Sequence, residues 1–420
     1  MKTLSILFMT LLLQIPLFAG QQRTYDLFKV NESKSQIKSA ELKSTVEGLK
    51  VVDVDMNAVK SIIANNDEFI TIEVPFEGTM FRASMKRFDV MAPGSRIVSG
   101  TSAGDVLLSN KTPFVAYTSD LYDKNSPLVV ITFFNDDVTA MIITQQDTYV
   151  LAKQRSSGDF VSYQASKMKQ HPDFHCGSEE FEIPQEIQEM QKNLDPSVNS
   201  MATNTLLKAS IAVESDYDAY SFFGNSVDRT SNYIIALYVP VSAIYCRDVN
   251  VQLQITYLRV WSDVNDPYSN QSTSSPLLNE FRNYWNANMQ AVPRTLAHMI
   301  TTRPGGLGGI AWVNALCAST SNGYGYAFSD IDGTFNQLPT YSWDCMVVAH
   351  ETGHNFGSPH THSCTWPGGP IDSCYAVEGG CYTGPAIARV GTIMSYCHLN
   401  GSIALFFGPL PTDLIRTRAE

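Results

Sequence analysis

The segment that decides the fold of the second half of this chain is His350-Glu351-Thr352-Gly353-His354-Asn355-Phe356-Gly357-Ser358-Pro359-His360. It fits the pattern H-E-x-x-H-x-x-G-x-x-H. On a helix, His350 and His354 lie one turn apart and face the same way, so both imidazoles can reach one zinc ion. Gly357 lets the chain leave the helix through a turn with positive φ, which brings His360 back to the same ion.

Three neutral imidazoles leave a fourth position on a zinc ion open for water, which is the arrangement of a catalytic site. Glu351 follows the first histidine and is placed to accept a proton from that water. Five fixed residue types at these spacings coincide by chance at on the order of one start position in ten million. A structural zinc site would more naturally use cysteines and would not need Glu351.

A second motif follows the histidines and carries a family resemblance. Thr392-Ile393-Met394-Ser395-Tyr396 resembles the Met-turn of the metzincin zinc endopeptidases, whose pattern is the extended histidine motif followed by this turn. Within the metzincins the chain is similar to the reprolysin (adamalysin) branch over roughly residues 205–410. Thr361 departs from that branch, in which an acidic residue usually follows the third histidine.

The resemblance implies a function and a set of site residues. His350, His354 and His360 would hold one Zn²⁺, Glu351 would act as base and then as acid, and Met394 would form an apolar floor. An extended protein or peptide substrate would pair with an edge strand that includes Gly309, Ile310, Ala311 and Trp312. A Ca²⁺ site occurs in many reprolysins, but the sequence specifies none here.

The position of Tyr396 corresponds to a tyrosine of the astacin and serralysin branches that can approach the zinc. The sequence leaves open a catalytic role for Tyr396 or the role of a packed aromatic in the site wall.

The eight cysteines raise two further questions. Cys317 and Cys397 correspond to a reprolysin disulfide, whereas the other pairings cannot be derived from the sequence. Cys176 is the only cysteine in the first half and resembles a cysteine switch, in which a propeptide thiolate takes the fourth zinc position. The alternative is that Cys176 pairs with the odd cysteine of the second half.

Length and composition suggest two units. The chain has 420 residues, and fourteen of its fifteen lysines precede residue 205. We predict a signal peptide at 1–20, a β-rich propeptide-like domain at 21–177, a linker or activation segment at 178–204 and the catalytic domain at 205–420. The net charge of −12 argues against a nucleic-acid partner.

The periodicity predicts strands in the first half, among them 128–134, and alternating strands and helices in the second, among them the strand 251–261 and the helix 341–356. The expected fold is an α/β (α+β) metzincin catalytic domain with a twisted mixed sheet and an active-site helix. We expect a secreted, monomeric enzyme without stable membrane insertion, inhibited by its own propeptide. The alternative function is an exported adhesion or binding protein that keeps the fold without turnover.

Overall fold

The structure is a computed structural model that describes residues 22–123, 126–169, 174, 176–180, 185, 189, 192, 205–269, 272–316, 323–331, 338, 339 and 341–420. The predicted signal peptide, most of the predicted linker and Cys317 lie outside the described residues. No helix within these ranges is both long and apolar enough to cross a membrane.

The N-terminal half consists mainly of short strands. In chain order its elements are β1 (Arg23–Tyr25), β2 (Phe28–Val30), α1 (Glu32–Glu41), β3 (Lys50–Val54), α2 (Met56–Asn65), β4 (Phe69–Phe76), β5 (Thr79–Arg87), β6 (Met91–Thr101), β7 (Gly104–Leu107), β8 (Phe114–Thr118), β9 (Leu128–Phe134), β10 (Asp137–Ile143), β11 (Thr148–Lys153) and β12 (Phe160–Gln164). Helix α2 begins at a cap where Asp55 accepts hydrogen bonds from two backbone amides, and it buries Val59 and Ile62.

The C-terminal half alternates strands with helices, as the sequence predicts. Its elements are β13 (Leu207–Ser215), α3 (Tyr217–Phe222), α4 (Val227–Val249), β14 (Val251–Trp261), α5 (Ser274–Asn288), β15 (Leu296–Thr301), β16 (Gly309–Ala311), β17 (Tyr326–Asp330), α6 (Tyr341–Asn355), β18 (Val390–Gly391), β19 (Ser402–Ile403) and α7 (Pro409–Ala419). The mixed α/β class is confirmed, and strands β9 and β14 have the predicted bounds.

Two large sheets organise the described residues. A ten-stranded sheet has the order β1-β4-β5-β8-β9-β10-β11-β12-β3-β2, and a seven-stranded sheet has the order β16-β17-β15-β13-β14-β6-β7. In the second sheet β16 runs antiparallel to β17, whereas β13 is parallel to both of its neighbours. The hairpin of β6 and β7 comes from the N-terminal half but lies at the far edge of the sheet that carries β16.

The ten-stranded sheet is buried on both faces at β9, where all seven residues are buried. Val129, Ile131 and Phe133 belong to a core that includes α2, whereas Leu128, Val130 and Phe134 belong to a core that includes α4. Because side chains alternate across a strand, the two sets point to opposite faces. At β9, one face of the sheet is therefore covered by a helix of the N-terminal half and the other by a helix of the C-terminal half.

The disulfides correct one prediction. Cys397 is bonded to Cys374, and Cys364 is bonded to Cys381, so the expected pair of Cys397 with Cys317 is wrong. The correct partner lies only 23 residues before Cys397 in sequence. The loop after His360 folds back onto the Met-turn segment, and this return, which sequence spacing does not reveal, brings the two thiols together.

Candidate active site

Helix α6 and the turn after it bring the three motif histidines together. Gly357 has φ of +95°, a left-handed conformation that favours glycine, and the chain then returns to His360. The Nε2 atoms of His350 and His354 are 3.1 Å apart, and the Nε2 atom of His360 is 3.2 Å from each of them. All three side chains are buried.

The opposite ring nitrogens establish which way these imidazoles are protonated. Nδ1 of His350 lies 2.7 Å from the carbonyl oxygen of Ile393, and Nδ1 of His354 lies 2.7 Å from that of Ser358. A carbonyl oxygen only accepts, so both Nδ1 atoms carry hydrogens and both Nε2 atoms present lone pairs.

The three Nε2 atoms form a set of donors that fits a metal ion. Lone pairs facing each other at 3.1–3.2 Å repel unless a cation lies between them. Tetrahedral Zn²⁺ with Zn–N bonds of about 2.0–2.1 Å needs nitrogen separations of about 3.3–3.4 Å, close to those observed. Burial and the neighbouring imidazoles lower the pKa of His350 and of His354, which keeps both rings neutral and able to act as ligands.

The Glu351 side chain extends from helix α6 to the backbone of the edge strand β16 at Gly309. Its Oε1 atom is buried and has no hydrogen-bond partner within the described part of the chain. A Cβ atom at Gly309 would lie 2.2 Å from that oxygen, so the absence of a side chain there makes room for the carboxylate. Burial raises the pKa of Glu351 well above its ordinary value, because the charged carboxylate loses its hydration.

Met394 lies beneath the histidine helix. It is fully buried, and a Cβ atom at Gly353 would lie 2.6 Å from its sulfur atom. The Met-turn therefore packs directly against the backbone of α6, in the position that the resemblance implies for an apolar floor.

Cys176 lies at the same centre as the histidines. Its Sγ atom is 3.3 Å from Nε2 of His354 and 3.5 Å from Oε2 of Glu351, and its thiol forms no disulfide. Together with the three histidines it forms a group whose donor atoms all lie within 4.8 Å of one another. Burial, followed by the negative charge of Glu351, raises the pKa of the Cys176 thiol.

Tyr396 holds the backbone on both sides of that thiol. The amide of Cys176 donates to the Tyr396 hydroxyl at 2.9 Å, and the hydroxyl donates to the carbonyl oxygen of Cys176 at 3.1 Å. The hydroxyl therefore lies beside the position where the thiol meets the histidines.

The N-terminal segment also contacts the predicted edge strand. Cys176 pairs with Gly309 in a parallel β-bridge. The Ser178 hydroxyl donates to the carbonyl oxygen of Ala311 at 2.8 Å and accepts from its amide at 3.0 Å. Ile310, the central residue of β16, is buried. Trp312 follows the strand and packs edge-on against Tyr324.

Phe174 fills an apolar space next to the histidines. Its ring lies 5.5 Å from the ring of His350 and 6.1 Å from that of Tyr396. Trp343 and His398 complete the surroundings at 5.6 and 5.7 Å. The N-terminal segment thus inserts an aromatic side chain as well as a thiol.

Glu378 is a further residue of the site that was not predicted from the sequence. Its Oε1 atom lies 2.6 Å from Nδ1 of His360 and 3.2 Å from Nε2 of His362, whose ring stacks on that of His360. Burial alone would raise the pKa of Glu378, but the hydrogen bond from His360 and the nearby imidazole of His362 lower it below its ordinary value. No motif marks this residue, because it lies in an irregular loop eighteen residues after its partner.

The helix and the returning loop form a cluster of donor atoms that could hold a metal ion. Residues 206–406 match the reprolysin family described as metallo-peptidase family M12. This part of the chain therefore belongs to the metallopeptidases of family M12 and is a reprolysin-like metzincin domain, which confirms the resemblance. No curated protein was found to match the chain significantly.

Proposed function

We propose that this protein is a secreted zinc endopeptidase, made as a latent precursor, which hydrolyses peptide bonds of extended protein substrates. The observation that carries the proposal is the convergence of three Nε2 lone pairs beside the unpartnered carboxylate oxygen of Glu351. Two disulfides and the apolar N-terminal run of the sequence support export.

His350, His354 and His360 would hold the zinc ion. Zinc in such a site acts as a Lewis acid, polarising a carbonyl group and lowering the pKa of water. Glu351 takes a proton from the attacking water and passes it to the leaving amine, so one carboxylate serves as base and then as acid. Its position against the backbone at Gly309 limits the movement of the carboxylate.

Edge strand β16 aligns the substrate. The N-terminal segment already uses the amide and carbonyl groups of Ala311 through Ser178, and an extended substrate would use the same groups by β-augmentation. The Tyr396 hydroxyl would lose its two hydrogen bonds to the backbone of Cys176 when that residue leaves. It would then donate a hydrogen bond to the carbonyl oxygen of the substrate.

The space filled by Phe174 indicates a substrate preference. Trp343, His398 and Tyr396 surround its ring, so a large apolar or aromatic side chain beside the scissile bond fits better than a carboxylate. A peptide pair that differs only by Phe and Asp at this position tests the preference. Equal values of kcat/KM for the two peptides would contradict it.

Cys176 would keep the precursor inactive. Its thiol occupies the side of the histidine cluster that a substrate carbonyl must reach, and soft sulfur is a good zinc ligand. In this arrangement the N-terminal half is the inhibitor of its own catalytic half.

The catalytic assignment is tested with Glu351→Gln in a Cys176→Ser background on casein. General-base catalysis contributes about 10²–10⁴-fold, so turnover should fall by that factor while bound zinc stays stoichiometric. The matched control is Glu41→Gln in the same background, since the Glu41 side chain is 59% exposed on α1. Digestion by Glu351→Gln at the rate of the control, or undiminished digestion after removal of the metal, would refute the assignment.

Latency is tested on the intact chain. Cys176→Ser should digest casein faster than the wild type before any cleavage, because serine is a poor zinc ligand. Cys246→Ser is the matched control, as Cys246 is another buried free cysteine, located on α4. Equal activity of the two variants would remove the switch from the proposal.

A further inference from the structure

The N-terminal half is joined to the catalytic half along a sheet edge far from the active site. Strand β6 pairs with β14 in parallel register, with Ile97 opposite Leu258 and Val98 opposite Arg259. The pairing extends past both ends of the register. The amide of Ile255 donates to the carbonyl oxygen of Val90 at 2.8 Å, and that of Ser262 donates to the carbonyl oxygen of Gly100 at 3.1 Å.

Side chains reinforce this edge with buried charge. Arg259, whose side chain is only 4% exposed, lies 2.7 Å from the carboxylate of Asp105 on β7. The hydroxyl of Tyr257 donates to the same carboxylate. Ser102, in the turn of the hairpin, donates to Asp263 through both its amide and its hydroxyl. The hairpin therefore contributes a partly exposed anion to a buried cation of the seven-stranded sheet.

A second, apolar contact lies on the face of the ten-stranded sheet. Leu128, Val130 and Phe134 of β9 share one core with Leu237 and Val241 of α4. Met141 and Ile143 of β10, and Val150 of β11, belong to the same core. Separation of the halves would expose this face and the side of α4 that covers it. The hydrophobic effect opposes that exposure.

We infer that the N-terminal half stays bound to the catalytic half as a non-covalent subunit after the chain is cut between residues 181 and 204. The sheet edge and the shared core both lie outside that segment, so cutting it breaks neither contact. Cys176 precedes the segment and remains at the histidine cluster. A single cut therefore leaves the Cys176 thiol at the histidine cluster, so relief of inhibition in the wild type also requires that the N-terminal half be degraded or displaced.

The association follows from the contacts alone, whereas the latency of the cut form rests on the proposed function. The experiment therefore measures association. A recognition sequence for a specific protease is inserted at residues 195–200 of the full chain, which carries a C-terminal affinity tag. The folded protein is cut to completion, captured, diluted and washed, and the retained N-terminal fragment is quantified on a denaturing gel.

We expect the wild-type fragment to remain with the tagged half at a ratio of one to one. Ile97→Asp places a carboxylate among apolar side chains, since Ile97 is 5% exposed, and should raise the dissociated fraction at least about tenfold. Val106→Asp is the matched control on the same hairpin, because Val106 is 59% exposed, and it should behave as the wild type.

Release of the wild-type fragment on dilution would overturn the inference, whatever the activity of the protein. If Ile97→Asp does not fold, hydrogen exchange on the cut wild-type protein tests whether β6 stays paired with β14. The amides of Ile255 and Ser262 should remain protected as in the intact chain, because β6 accepts their hydrogen bonds. Exchange of both amides at the rate of an open strand edge would contradict a bound hairpin.

Discussion

Replacement of Glu378 by alanine should weaken metal binding without removing any metal ligand. Its carboxylate accepts a hydrogen bond from Nδ1 of His360 at 2.6 Å, which fixes the ring and makes its other nitrogen a better donor to a metal. A hydrogen bond to a charged group contributes about 1.5–3 kcal/mol, equivalent to about 10- to 150-fold in affinity. The Glu378 side chain is 26% exposed, so solvent screens the interaction. The expected loss of zinc affinity therefore lies in the lower part of this range, at about 10- to 30-fold.

The assay is competition for zinc between the full-length protein and a chromophoric chelator. Glu378→Gln retains an oxygen that can accept from Nδ1 but lacks the charge, so its affinity should lie between those of the wild type and Glu378→Ala. Glu41→Ala, on the exposed side of α1, is the control. The carboxylate does not position His360 if Glu378→Ala binds zinc as tightly as the wild type does. The same conclusion holds if a lower Tm of the variant accounts for all of its loss of zinc affinity.

Three further predictions concern the edge strand, a disulfide and a half-buried acid. Gly309→Ala should lower proteolysis at least about tenfold with zinc content unchanged, because its Cβ would lie 2.2 Å from the Glu351 carboxylate; a fully active variant would contradict this packing. Double replacement of Cys364 and Cys381 by serine opens a crosslink between positions 17 residues apart and should lower the free energy of unfolding by about 3 kcal/mol, measured with denaturant. An unchanged denaturation midpoint would show that this disulfide does not stabilise the fold. Burial raises the pKa of Asp137 to about 7, so the folded state holds a proton that the unfolded state releases near pH 4, and stability should fall as the pH rises from about 4 to 7. Asp137→Asn should therefore be more stable than the wild type at pH 8 and equal to it near pH 4; a constant difference across this range would refute the shift.

The sequence was most informative where a site is built from local geometry. His350 and His354 are neighbours because of helix periodicity, and the positive-φ turn at Gly357 explains the return to His360. The bounds of β9 and β14 follow from runs of β-branched and apolar residues between turn signals. In these places the short-range pattern and the fold agree.

Contacts between distant segments were not predictable in the same way. Glu378 reaches His360 from an irregular loop, and Cys397 meets Cys374 because that loop folds back. The pairing of β6 with β14 joins strands more than 150 residues apart, and alternation within a strand does not specify which edge it meets. Cys176 was ambiguous for the same reason, since a cysteine count cannot distinguish a disulfide partner from a metal ligand.

The apolar residues on both faces of β9 have a consequence for biosynthesis. The ribosome completes all strands of the ten-stranded sheet before it makes helix α4, which begins at Val227. Until that helix arrives, Leu128, Val130 and Phe134 have no cover, and a chain that stops early keeps them exposed. Truncated products should therefore aggregate or require a holding chaperone, whereas the full-length chain covers this face with α4.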